Sequence, residues 1–107
     1  MHFGLRNDII ENIQHIFEEF DQVDEVIIYG SRAKGNYKPG SDVDLTVKGK
    51  NLDLKTINKI SLKIDDLFLP YTFDISVYSQ IENPDLIDHI ERVGKVFYQK
   101  QMIAKLR

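Results

Sequence analysis

Ile27-Ile28-Tyr29-Gly30-Ser31-Arg32-Ala33-Lys34-Gly35, followed by Ser41-Asp42-Val43-Asp44-Leu45, is the stretch on which the fold turns. Glu25 to Tyr29 is a short β-branched run, the pattern of a buried strand, and it stops at Gly30. Ser31 to Ser41 holds Gly35, Pro39 and Gly40. It reads as a loop with one helical turn after Gly30, and Pro39-Gly40 suits the centre of a type II turn. From Asp42 to Lys48 apolar and polar residues alternate. Val43, Leu45 and Val47 point one way; Asp42, Asp44 and Thr46 point the other. That segment is a strand with one apolar face.

Working outward, Ile9, Ile13, Ile16, Phe17 and Phe20 recur at helical spacing, which predicts a helix from about Asn7 to Phe20 with Asn7 or Asp8 as its cap. The period returns from Asp53 to about Phe68 through Ile57, Ile60, Ile64, Leu67 and Phe68, with Pro70 marking the end. Thr72 to Tyr78 alternates again, Phe73, Ile75 and Val77 against Asp74 and Ser76. Pro84 suits the first turn of a short helix carrying Leu86, Ile87 and Ile90, ended by Gly94. Val96-Phe97-Tyr98 is a brief strand or docking segment, and the pattern does not decide between helix and frayed chain for the tail 99–107. Helix, strand, loop, strand, helix, strand, helix implies an α/β chain of the α+β type, a small mixed β-sheet with helices packed on one face. With 107 residues and no linker or repeat, one domain over 1–107 is expected.

Residues two apart on a strand share a face, so Asp42 and Asp44 project together. If Thr72–Tyr78 pairs with their strand in matching register, Asp74 joins them. Three carboxylates on one sheet face repel and raise each other's pKa. A hard divalent cation removes that penalty, and Mg²⁺ takes a few carboxylate oxygens while keeping positions for water or phosphate. Two such ions can activate an attacking oxygen and stabilise a leaving one in a single in-line displacement. Taken alone, an Asp-x-Asp strand is more often a solvated face. Gly30-Ser31 supplies the complementary part: glycine lets backbone amides approach a phosphate, Ser31 adds a hydroxyl, and Arg32 and Lys34 add positive charge. Their combination in one short chain is what singles these residues out.

The quoted residues resemble the signature of the DNA polymerase β-like nucleotidyltransferase superfamily, and the short chain resembles its minimal (MNT) branch. Gly30-Ser31, ten intervening residues and Asp42-Val43-Asp44 carry the likeness. Phe73-Asp74-Ile75-Ser76-Val77 is similar to the family's third-carboxylate strand, and Ile90 to Tyr98 to its usual ending. The resemblance implies the nucleotidyltransferase fold, with Asp42 and Asp44 ligating two Mg²⁺ ions. Asp74 would ligate the nucleophile-side ion and help deprotonate the attacking hydroxyl. Gly30 and Ser31 would hold the β- and γ-phosphates of ATP or another NTP, and Arg32 occupies a matching position. It further implies a helical HEPN-type partner encoded nearby, with AMP passing from ATP to a tyrosine of that partner in an antitoxin role. Two other readings stand beside it: a catalytic subunit modifying a small molecule or RNA end held by a helical partner, and a non-catalytic nucleotide-binding or neutralising module.

Bulk properties narrow the field. Without cysteine, disulfides, thiolate metal sites and cysteine nucleophiles are excluded. A formal net charge of −3 argues against stable nucleic-acid binding through a phosphate-tracking surface. No apolar run approaches a membrane span, and the first residues lack the apolar core of a signal peptide, so a cytoplasmic location is expected. His2, His15 and His89 are scattered and read as surface or boundary residues. Tyr37 reads as an exposed loop aromatic, with stacking on a nucleobase as the alternative.

Overall fold

The computed structural model describes residues 2–100. The elements in chain order are α1 (Asn7–Glu18), β1 (Val23–Tyr29), α2 (Ser31–Lys34), β2 (Val43–Gly49), α3 (Leu54–Asp65), β3 (Phe73–Val77), a 3-10 turn (Tyr78–Gln80), α4 (Pro84–Val93) and β4 (Lys95–Gln99). The segment Val96–Tyr98 is thus a strand. Of the tail, residues 101–107 lie outside the described part.

One four-stranded sheet runs β3-β2-β1-β4. β1 is antiparallel to both β2 and β4, while β2 and β3 are parallel. The parallel pair follows from chain order, because adjacent parallel strands need a crossover and α3 provides it. Val26, Ile28, Val43, Leu45 and Val47 project into the main core with Ile9, Ile13, Ile16 and Phe17 of α1 and Ile57, Ile60 and Ile64 of α3. Each such aliphatic side chain removed from water contributes roughly 1.5–3 kcal/mol.

The mixed sheet is as expected, but the helices do not all share one face. Ile90 of α4 packs on Ile27 and Tyr29 of β1, with Leu86, Ile81 and Tyr78 around them. Those strand residues alternate with the core-facing Val26 and Ile28, so α4 covers part of the opposite face. On that face Thr46 of β2 is fully buried rather than solvated. Its hydroxyl accepts a 3.0 Å hydrogen bond from the Ser76 hydroxyl, which offsets the cost of burial.

Local readings shift at several ends. α1 stops before Phe20, and its N-cap is Arg6, without a side-chain cap. Asn7 and Asp8 lie inside the first turn, too far along to cap, and Asp8 instead accepts from the Arg6 guanidinium. α3 is capped by Asp53, which accepts from the Thr56 amide at 2.8 Å. It ends at Asp65, so Phe68 falls beyond the helical stripe with φ 52° and 89% exposure. The Lys38–Ser41 turn closes with a 2.9 Å amide-to-carbonyl hydrogen bond. Gly40 is not among the positive-φ glycines, so the turn is not type II. α4 begins as expected, with Pro84 at its first turn and Asn83 accepting from the Asp85 amide. Among the described residues, no helix is long and apolar enough to cross a membrane.

Candidate active site

β1 ends at Tyr29 because Gly30 takes φ 74° and ψ −156°, a backbone region essentially restricted to glycine. A Cβ at this position would collide with the Asp44 carboxylate. The glycine therefore brings the turn and the carboxylate strand into direct contact. Ser31 opens the single turn of α2, half-buried, and Gly35 closes it with φ 88°.

Across the sheet, Tyr29 pairs with Asp44, and Asp44 pairs with Asp74. Directly opposed residues project from the same face, so these three side chains form one row. Asp42 lies just outside the start of β2, two residues from Asp44. Asp42 and Asp74 are exposed and Asp44 is half-buried. Burial, then the charges of Asp74 and Asp42, raise the Asp44 carboxyl above its ordinary value, with His89 opposing the rise. Burial, followed by the charges of Asp74 and Asp44, also raises the Tyr29 phenol, with Ser76 acting the other way. Both shifts come first from burial, and the negative charge at this corner of the sheet adds to them.

As the side chains stand, no three His, Asp or Glu among the described residues are gathered closely enough to hold a metal ion. The donor set nevertheless suits a hard divalent cation: oxygen donors only, negatively charged, with open positions on the solvent side. Asp42, Asp44 and Asp74 could hold such an ion and use it to bind phosphate oxygens.

Arg32 lies elsewhere than its matching position implied. It is 2% exposed. Its Nε and Nη2 donate to the Ser41 carbonyl at 3.1 and 2.9 Å, and Nη1 donates to the Phe3 carbonyl at 2.9 Å. The rings of Tyr37 and Tyr71 sit 5.3 and 5.1 Å from the guanidinium carbon. A rigid planar fork with five donors suits this clamp better than lysine would. Arg32 thus ties the N-terminal segment to the loop that delivers Asp42, and it is not directed at a phosphate. Tyr37 is 38% exposed but covers Arg32. Lys34 is exposed.

His89 was a boundary residue on sequence grounds, and the structure gives it a partner. Its Nε2 accepts a 3.1 Å hydrogen bond from the Gly30 amide. The Tyr29 ring meets it edge-on, with centroids 6.1 Å apart. The only sequence signal was its place on the buried stripe of α4, three residues after Leu86 and beside Ile90.

Comparison with known proteins agrees with this geometry. The polymerase beta nucleotidyltransferase family model matches residues 11–103. The chain belongs to that family, and it is a nucleotidyltransferase. A protein of Methanocaldococcus jannaschii described as a "putative protein adenylyltransferase" is 32% identical over 100 residues, covering 81% of this chain and 96% of the relative. Among solved structures, a toxin–antitoxin complex with AMP-PNP superposes with a TM-score of 0.68 at 17% identity, covering 95% of this chain and 80% of that one. A Shewanella oneidensis complex, a tri-AMPylated HEPN toxin with its MNT antitoxin, gives 0.66 at 14% identity, covering 95% and 79%. At such identities these two matches establish that the nucleotidyltransferase shares their fold.

Proposed function

We propose that this nucleotidyltransferase uses Mg²⁺ to transfer AMP from ATP to a tyrosine hydroxyl of a helical HEPN-type partner protein, in the role of an antitoxin. The observation that carries the reading is the Asp44–Asp74 pairing beside Gly30, with Asp42 two residues away. The adenylyltransferase description of the relative and the AMPylated toxin bound to a neighbour of the same fold favour AMP and a protein acceptor.

In this reading Asp42, Asp44 and Asp74 are the metal ligands. Bound Mg²⁺ supplies charge neutralisation at the transferring phosphate and at the leaving pyrophosphate. Asp74, on the exposed edge strand, is the carboxylate best placed to accept the proton of an incoming hydroxyl. Ser31 contacts the terminal phosphates through its hydroxyl and the backbone of its turn. The Gly30 amide is already engaged by His89, so Gly30 contributes conformation and close approach rather than a donor. Arg32 acts indirectly, holding the loop before Asp42.

The test is incubation with labelled ATP, Mg²⁺ and the product of the neighbouring gene. Label is expected on a partner tyrosine with the wild-type protein and absent with Asp42→Asn or with chelator. Absence of transfer by the wild type in the presence of a well-folded partner would overturn the reading.

A further inference from the structure

We infer that His89 is a positioning residue for the nucleotide: from α4 it anchors the Gly30 amide and so sets the conformation of the phosphate-binding turn. This deepens the proposed function and rests on it for the identity of the ligand.

Three observations converge. Gly30 occupies a backbone region open to glycine but not to other residues, and because glycine can leave it as easily as it enters, the turn needs a restraint to stay there. Its amide lies beyond the last β1–β2 pair, Tyr29–Asp44, and donates to His89 Nε2 at 3.1 Å. To accept from this amide, Nε2 must offer its lone pair to it. The imidazole is itself held from two sides. Ile90, the next residue, is buried against Ile27 and Tyr29, and the Tyr29 ring meets the imidazole edge-on. Packing of α4 is therefore converted into a fixed orientation of one amide. That amide precedes Ser31, while the glycine's open α-carbon faces Asp44. One residue thus links the helix, the phosphate turn and the metal strand. Loss of the anchor leaves the glycine turn free to move, and contacts to the terminal phosphates suffer more than contacts to the nucleoside.

His89→Ala, His89→Gln and His89→Lys separate this role from simple packing. Glutamine offers a carbonyl acceptor; lysine fills space but has none. Binding of AMP-PNP and of AMP would be measured in the presence of Mg²⁺, together with hydrogen exchange at the Gly30 amide. Alanine and lysine variants are expected to bind AMP-PNP roughly 10-fold or more weakly, in the range seen for groups that orient a ligand. Their AMP affinity should change little, Gly30 exchange should accelerate, and glutamine should recover much of the loss. Unchanged or tighter AMP-PNP binding by His89→Ala, or equal losses for AMP and AMP-PNP in all three variants, would overturn the inference. Unchanged Gly30 exchange in a folded His89→Ala protein would overturn it whatever the nucleotide result. Failure of wild-type protein to bind AMP-PNP, with Gly30 exchange still dependent on His89, would instead overturn the proposed function and leave the anchor standing.

Discussion

On β2, Asp44 and Leu45 are adjacent in the chain and opposite in circumstance. Leu45 is fully buried under α1 and α3 among side chains that ask only for volume. Asp44 stands on the other face, flanked by Tyr29 and Asp74, with α4 covering one side and solvent open on the other. The first face is packed over β1 and β2 and partly covered over β3. The second is covered at β1 and at Thr46 of β2 but open around Asp42 and Asp74, and the open part is where negative charge collects. A sheet can host three carboxylates at one corner because stability is supplied by its reverse side.

The sharpest way to break this contrast is to change each neighbour in turn. Leu45→Ala removes packing from the dry face and should cost about 2–5 kcal/mol of stability in denaturant titrations. Specific activity of the molecules that remain folded should be little changed. Asp44→Asn should do the reverse, lowering transfer by more than about 100-fold, since groups that merely orient metal ligands already cost 10–100-fold. Its melting temperature without metal should match or exceed that of the wild type, because a repelled carboxylate has gone. Comparable loss of stability in both variants would show that the two faces do not divide the work in this way.

Next in size is Arg32→Met, which keeps bulk but leaves the Ser41 and Phe3 carbonyls without their donor. A loss of about 1–3 kcal/mol is expected. Limited proteolysis should find earlier cleavage in the loop leading to Asp42, and transfer should weaken with it. Wild-type protease resistance in this variant would contradict the clamp.

The smallest effect concerns pH in the absence of metal. Asp44 is raised in the folded protein from an ordinary value of 3.8. Between the ordinary and the raised value, the folded protein retains a proton that the unfolded chain has released. Stability therefore falls as pH rises through that window and stays lower above it. Asp44→Asn lacks this loss, so the melting-temperature gap between variant and wild type should widen as pH rises above 3.8. The carboxylate is only partly buried, and solvent screening should keep the change to about a few degrees. Mg²⁺ at neutral pH should close part of the gap by stabilising the wild type alone. A gap that does not vary with pH would show that the carboxylate cluster exerts no net repulsion.

Much of this was legible in the residues. Strict alternation placed Val43, Leu45 and Val47 opposite Asp44, and it showed that Asp74 would join the cluster if its strand paired in register, which the structure supplies. Gly30-Ser31 marked the end of the first strand. Other features were not legible for definite reasons. Arg32 occupies a motif position beside a candidate phosphate turn, yet its partners are carbonyls at Phe3 and Ser41. Nothing local announces a bond to a residue 29 positions away. Phe68 continued the helical spacing, but α3 had already ended. Thr46 alternated with apolar residues and so read as solvated, yet it is fully buried and bonded to Ser76.

The sequence by itself determined the periodicities, the sheet residues that face the core, and the family to which the turn and the carboxylates belong, because these rest on spacing within short segments. Tertiary structure alone decided that α4 crosses to the second face, that His89 reaches the Gly30 amide, and that Arg32 turns inward. Each depends on contacts between segments far apart in the chain, and such contacts leave little trace in local pattern.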